Sequence, residues 1–365
     1  MSKQTELVGL ARTTNLDEVN AAYSAGALSN RNLIINGAMQ VAQRGTSVSS
    51  TFSNYLVDRF TTSTTMTTYT YSQSTDAPSG FSNSSKVEVT TAEVAAASDF
   101  MSFVYNLEGQ DLQRLAKGTA SAESVTVSFW VKSNVTGTYI LEFDDNDNSR
   151  NINKSYTVDV SGDWEYKTIT FEGDTSGVFD NDNQLSGLLR WFWDAGTNFT
   201  TGTLATSWEA TNNVNRATGI TGTFGDTIGN YFQITGVQLE VGDTATPFEH
   251  RSYGQELALC QRYYERHNAT ATGVRMAAGN ANGANSLTTI FPFLTPKRAT
   301  PTLSYNNIVA RQGGSNTTIS SANVIGKSDA GLTADLLTAT TIVTGGGYHI
   351  RASSSSSYIE LDSEL

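Results

Sequence analysis

The stretch GVQLEVGDTATPFEHRSYGQELALCQRYYERHN, residues 236–268, begins with strand alternation and ends with helical spacing. Val237, Leu239 and Val241 alternate, which suits a half-buried strand. GDTATPFEHR is then a turn-rich connector. Ser252 and Gln255 have capping-box spacing. Tyr253, Leu257, Cys260 and Tyr264 recur at i, i+4, i+7 and i+11, one face of a helix. Arg262, Arg266 and His267 fall in its last turn, where cations complement the helix dipole. The spacing predicts one helix, 251–268, closing one β domain and leading to another.

Working outward, the alternation continues towards the N-terminus. In NYFQITGVQLEVG, Phe232 and Ile234 share a face until the phase shifts at Gly236, which predicts a bulge or a bend. In SVTVSFWVK, Val125, Val127, Phe129 and Val131 oppose Thr126, Ser128, Trp130 and Lys132. GLLRWFW places Leu189, Trp191 and Trp193 on one side. Asn36-Gly37 between apolar runs reads as a type I′ hairpin turn opening this domain. After the helix, TTIFPFLTPKRATPTLSYNN and the final TTIVTGGGYHIRASSSSSYIELDSEL return to strand-like runs among prolines and polar linkers. The expected fold is mainly β: a jelly-roll β-sandwich over 31–250, the short linking α-helix, and a smaller C-terminal β-sandwich over 269–365. Residues 1–30 read as either a frayed end or an arm that orders against a partner.

Composition narrows the function. Of 365 residues, 38% are hydrophobic and 16% charged, and 16 Phe, 15 Tyr and 5 Trp are too many for a chain without a core. A formal net charge of −12 disfavours nucleic-acid binding. No apolar run approaches a membrane span, so membrane insertion is not expected. The first residues lack a signal-peptide core, so synthesis in a cytoplasm is expected. Cys260 is the sole cysteine, which excludes an intrachain disulfide and a cysteine zinc site.

Two groups of residues could carry binding chemistry. Asp144, Asp145 and Asp147, in EFDDNDNSR, offer dense oxygen ligands for Ca²⁺ or simply a solvated turn. Among the tryptophans, Trp191 and Trp193 read as core. Trp130 and Trp208 are the candidates for sugar-stacking platforms. No other cofactor is expected. His250, His267 and His349 are scattered, and neither a nucleophile elbow nor a P-loop is present, so no catalytic residue is assigned and the chain is not expected to be an enzyme.

NLIINGAMQVAQRG with YLVDRF, QLEVGDTATPFEHRSYGQELALCQRYY, and FPFLTPKRATPTLSY together resemble a group of tailed-bacteriophage tail-fibre or tail-associated virion proteins. Their sandwich is similar to carbohydrate-binding modules. This chain departs by Ala42 where an aromatic is common, and by Lys297 where Met is common. The resemblance implies a virion appendage, usually a homotrimer, made in the host cytoplasm. It implies attachment to other virion proteins through the N-terminal segment, here Leu10, Leu16, Val19 and Tyr23. Three roles stay open: a receptor-binding protein holding a host-surface glycan, a head-fibre, decoration or connector protein that binds no host, and a polysaccharide depolymerase.

Overall fold

The computed structural model describes residues 30–50, 54–66 and 69–365. The residues proposed for virion attachment, Leu10, Leu16, Val19 and Tyr23, lie outside them. The chain divides into two compact units. The first holds the described residues up to Gln40, with Thr46–Leu56 and Phe60–Arg251. The second holds Val41–Gly45, Val57–Arg59 and Ser252–Leu365.

The strands of the first unit are Ser47–Ser50 (β1), Phe60–Thr64 (β2), Tyr69–Ser74 (β3), Ser84–Val89 (β4), Phe100–Glu108 (β5) and Val125–Ser133 (β6). They continue with Gly137–Asp145 (β7), Arg150–Val158 (β8), Glu165–Phe171 (β9), Leu185–Ala195 (β10), Glu209–Ala210 (β11) and Tyr231–Val241 (β12). They form two six-stranded sheets, ordered β1-β3-β4-β12-β6-β9 and β11-β8-β7-β10-β5-β2. Every pairing is antiparallel. This is the expected jelly-roll sandwich.

Alternation builds its core. Val125, Val127, Phe129 and Val131 are all buried. Aromatic rings interlock between the sheets: Phe129 of β6 meets Trp191 of β10 edge-on at 5.8 Å, and Trp193 meets Phe232 of β12 at 5.3 Å. Such pairs contribute about 0.5–1.5 kcal/mol each beyond the burial of their area. A bulge is present at Gly236. The β12–β6 register shifts between Thr235 and Gln238, and Gly236 has φ of 62°, which glycine adopts without Cβ strain.

The expected Asn36-Gly37 hairpin is not formed. Asn36 does take a left-handed φ of 61°, but no strand flanks it. The segment lies along the β12 bulge instead. Leu33 N donates to Leu239 O and Val237 N donates to Gly37 O, at 2.9 and 3.0 Å. A Cβ on Gly37 would sit 2.0 Å from Val237 O, so glycine serves close approach here rather than a hairpin turn. Bonds to an existing strand left the two flanking runs no need to pair with each other.

The second unit contains the helix, Tyr253–Gln261, with its capping box intact. Gln255 N donates to Ser252 Oγ at 3.4 Å, and Ser252 N donates to Gln255 Oε1 at 3.1 Å. It stops earlier than its spacing suggested. Tyr264, Arg266 and His267 belong to a strand, Tyr264–Asn268 (β13), paired with Tyr358–Asp362 (β21). The buried helical residues are Glu256, Cys260 and Gln261, while Tyr253 is 56% exposed. Long-range pairing to β21 outweighs local helical spacing. Thr302–Asn306 (β16) completes that sheet, ordered β13-β21-β16.

The remaining strands are Arg275–Gly283 (β14), Ser286–Pro292 (β15), Ile308–Gln312 (β17), Ser315–Ser328 (β18), Gly331–Thr338 (β19) and Gly347–Ala352 (β20). They close into a barrel, β14-β15-β19-β18-β17-β20, around Leu287, Ala310, Leu332, Ala334, Leu336 and Ile350. Two stacked sheets were expected of this smaller β domain. The β14–β20 ladder joins the ends instead and leaves this sheet without edges.

Parts of the stretches that carry the resemblance, Val41–Gly45, Val57–Arg59 and the segments at 252–264 and 291–305, belong to this unit. Asp58 is fully buried and accepts from Gln43 N at 2.9 Å and Gln43 Nε2 at 2.5 Å. Arg59 stacks 3.4 Å above the Tyr263 ring and pairs with Glu364 at 2.5 Å. Arg44 stacks on Tyr264 at 3.5 Å and pairs with Asp362 at 3.1 Å. The Lys297 departure has a partner of its own: its ammonium is fully buried against Glu265 at 2.5 Å and also donates to Gln261 O. Lys297→Met removes the buried cation facing Glu265, leaving that carboxylate to His267 Nε2 at 2.7 Å and Leu294 N, and is expected to cost about 3 kcal/mol in chemical unfolding. Adding Glu265→Gln to that variant is expected to recover most of the loss.

Candidate functional site

The strongest surface feature of the sandwich is an aromatic strip on the outer face of the β1-β3-β4-β12-β6-β9 sheet. Core packing takes one side of β6, so Trp130 and Lys132 point the other way. Register sets Trp130 between Thr235 of β12 and Tyr166 of β9. The Trp130 and Tyr166 rings are 5.3 Å apart, tilted at 50°, and Tyr166 is 46% exposed. On the other flank, Gly236 forms a floor without a side chain. A Cβ there would lie 2.7 Å from Phe81 and 3.1 Å from Trp130. Phe81 packs against Phe248 at 5.0 Å and His250 at 5.3 Å.

Polar groups border the strip. Lys132 Nζ donates to Asp76 Oδ2 at 2.7 Å, and Trp164 Nε1 donates to Asp76 Oδ1 at 3.2 Å. Partial burial pushes the Asp76 carboxyl up, but the bonds from Lys132 and Trp164 outweigh it and hold the group below its ordinary value. An ionised acceptor, an ammonium and tilted rings therefore share one open sheet face. Rings offer flat apolar surface to the C–H faces of a sugar, and the charged groups suit its hydroxyls.

Trp208 is elsewhere and is packed. It lies 5.4 Å from Phe143, its Nε1 donates to Glu172 O at 2.7 Å, and Lys117 Nζ sits 5.0 Å from its ring. The two tryptophans singled out in the sequence therefore do not form one site. Tyr166, Phe81, Phe248 and His250 were not singled out. Alternation in EYKTITFEG, with Ile169 and Phe171 inward, was the available signal for Tyr166. Nothing local marks Phe81 or Phe248, which arrive on loops.

The three aspartates point three ways, because neighbours along β7 face opposite sides. Asp144 turns outward and meets Arg216 at 3.3 Å. Asp145 turns inward and is fully buried. Asp147 Oδ2 accepts from Asp180 N at 3.0 Å. Among the described residues no cluster of three or more His, Cys, Asp or Glu side chains is placed to hold a metal. An oxygen cage does form around Asp145, and a lysine fills it. Lys117 Nζ bonds Asp145, Ser176 O at 2.9 Å and Gly177 O at 2.9 Å, and pairs with Asp174 at 3.1 Å. Burial pushes Asp174 up, but bonds from Arg150, Ser176 N and Lys117 hold it below the usual carboxylate range.

Asp144 is affected in the opposite direction. Burial first, then the neighbouring Glu142, raises it to about 7 against the pull of Arg216 and Arg190.

Lys117→Ala leaves the fully buried Asp145 without its cation, while Asp174 keeps Arg150 at 2.7 Å, and is expected to destabilise by about 3–5 kcal/mol. Calcium is expected to raise the melting temperature of that variant and not of the native chain, as calorimetry with calcium or chelator would read. For Asp144, the folded chain keeps a proton from about pH 4 to 7 that the unfolded chain releases. Its contribution to stability is therefore lost as pH rises across that window. Asp144→Asn is expected to melt like the native chain at pH 4. At pH 8 it is expected to melt at least about 2–4 °C higher, equivalent to roughly 1 kcal/mol or more.

No protein-family model and no curated protein matches the chain. Among solved structures it is similar to the enzymatically active domain of tailspike protein 4 of bacteriophage CBA120. Identity is 12%, coverage 58% of this chain and 21% of that one, and the TM-score 0.33. It is also similar to modules of the Clostridium thermocellum endo-1,4-β-D-xylanase 10B, at 11% identity, 58% and 29% coverage and a TM-score of 0.31. A third is the family 11 carbohydrate-binding module of a C. thermocellum cellulosomal cellulase, at 13% identity, 59% and 97% coverage and a TM-score of 0.27. The matched region thus spans less than a third of the first two chains. Likenesses this distant carry no argument.

Proposed function

We propose that this chain is a receptor-binding appendage of a bacteriophage particle and that its sandwich holds a host-surface glycan on the Trp130–Tyr166 strip without cleaving it. One observation supports the binding reading above the others: a sheet face carrying the Trp130–Tyr166 ring pair, with Phe81 across Gly236, beside the Asp76–Lys132 pair. The placement on a virion rests on the sequence resemblance of the stretches at 32–45, 55–60, 238–264 and 291–305. Such a face is shallow, so a single site binds weakly. Several copies on one particle prolong attachment through effective concentration.

The test uses the full chain, an array of neutral bacterial surface oligosaccharides, and titration calorimetry on the best binder. Tyr166→Ala removes the most exposed ring without opening the core. It is expected to weaken that binding roughly tenfold, about 1.4 kcal/mol, at an unchanged melting temperature. Equal affinity in the variant would overturn the assignment of this face. Release of new reducing ends from host polysaccharide would overturn the non-catalytic reading.

A further inference from the structure

A second group of polar side chains lies on the barrel of the second unit. Strands β14, β20 and β17 are neighbours in that order. Tyr348, Ile350 and Ala352 of β20 are buried, and so are Ile308 and Ala310 of β17. Alternation therefore turns His349, Arg351 and Arg311 outward. Register places Arg275 opposite Arg351, and Arg311 opposite His349. Together with Gln312 and the Gly313-Gly314 turn they line a cavity of about 270 Å³.

Three guanidinium groups gather on this wall, Arg275 exposed and Arg311 and Arg351 half-buried. Elsewhere buried and half-buried basic groups face carboxylates: Arg59 and Arg44 meet Glu364, Arg150 meets Asp174, and Arg216 meets Glu142. Among the described residues, none of Arg275, Arg311 and Arg351 has a carboxylate within 4 Å. Like charges directly opposite on a ladder disfavour the sheet. In a chain of net charge −12, acids to relieve them are abundant, yet none is placed here. Two of the guanidinium groups are also held in position. Arg351 Nε donates to Gly273 O at 3.0 Å, and Arg311 Nη1 donates to Asn316 Oδ1 at 2.9 Å. Neither partner carries charge, so both groups keep their full positive charge.

We infer that this wall is a binding site for a small oxyanion of the carboxylate, phosphate or sulfate type. The planar guanidinium fork matches those groups with two parallel bonds. The cavity is slightly smaller than typical drug-sized pockets of about 300–1,000 Å³, so it takes one charged group or one acidic sugar unit rather than a long chain. Such an oxyanion has two sources, a free inorganic anion and an acidic residue of a surface polysaccharide. The site belongs to the second unit and is independent of the aromatic strip.

The experiment titrates the full chain with inorganic phosphate, an oligogalacturonide and the matching neutral galacto-oligosaccharide. It is repeated with Arg275→Gln/Arg311→Gln and with Tyr166→Ala. Arg275 and Arg311 make no bond to the barrel backbone in the structure, so the double variant is expected to melt with the native chain. Saturable binding of phosphate or the oligogalacturonide, weakened at least tenfold by the double variant and untouched by Tyr166→Ala, is the expected result. Tighter binding of the oligogalacturonide than of phosphate assigns the site to polysaccharide, and the reverse order assigns it to the free anion. Absence of saturable binding of either anion, or equal binding by a folded double variant, overturns the inference. An oligonucleotide that binds this wall more tightly than both anions would also overturn it. Loss of neutral-oligosaccharide binding in Tyr166→Ala, with anion binding unchanged, bears on the aromatic strip alone and leaves this site standing.

Discussion

A strand can offer only alternate side chains to a core, and the sandwich is built on that constraint. In β6, the buried set Val125, Val127, Phe129 and Val131 fills the space between the sheets. Everything interleaved with it must face outward. Trp130 and Lys132 are therefore available to a ligand because their neighbours are not. The inter-sheet contacts of Phe129 with Trp191 and of Trp193 with Phe232 hold the sheet beneath the strip rigid. Coverage then selects among the outward residues. Gln238 and Glu240 also face outward, but bonds to Thr246 and Glu249 close the connector over them. The loop between β3 and β4 does bond along the strip, Asp76 accepting from Lys132 and Trp164 and Asn83 O from Thr235 Oγ1, but Tyr166 remains 46% exposed.

Charge follows a comparable rule. Moving an ion out of water is costly unless a partner and further hydrogen bonds replace the lost hydration. The chain meets that condition repeatedly. Lys117 sits in a cage of two carboxylates and two carbonyls, and Lys297 sits against Glu265. Arg59 and Arg44 lie flat on Tyr263 and Tyr264 while their forks reach the carboxylates near the C-terminus. These pairings involve Arg44, Arg59, Tyr263, Tyr264 and Lys297 of the stretches that resemble phage virion proteins. Their arginines and tyrosines hold the scaffold together, and no ligand is needed to explain them. The barrel wall differs: exposed Arg275 and half-buried Arg311 and Arg351 gather there without a carboxylate among them.

How far the fold could be read in advance depended on the range of the interaction. The strands of the sandwich were legible because burial on one face writes a period of two directly into the residue order. The bulge at Gly236 and the capping box at Ser252 and Gln255 were legible for the same reason, since both involve near neighbours. The end of the helix was not. Tyr264 has the right spacing to continue it, but β21, almost a hundred residues away, recruits it into a sheet. Asn36-Gly37 carried a turn signal whose meaning changed once β12 offered its backbone. Trp130 was found by its place in the alternation. Tyr166, Phe81 and Phe248 joined it only through strand order and loop docking.

The residue order by itself determined that the chain is β-rich, which faces of β6, β10 and β12 are apolar, and where one short helix begins. These properties follow from side-chain chemistry and spacings of a few residues. Only the tertiary structure decided that β7 pairs on through Asp144 and Asp145, that Lys117 occupies the oxygen cage, that the last strands close into a barrel, and which aromatic rings share a surface. Each of those outcomes depends on groups far apart in the chain meeting in space, and local patterning holds no record of which distant partner will arrive.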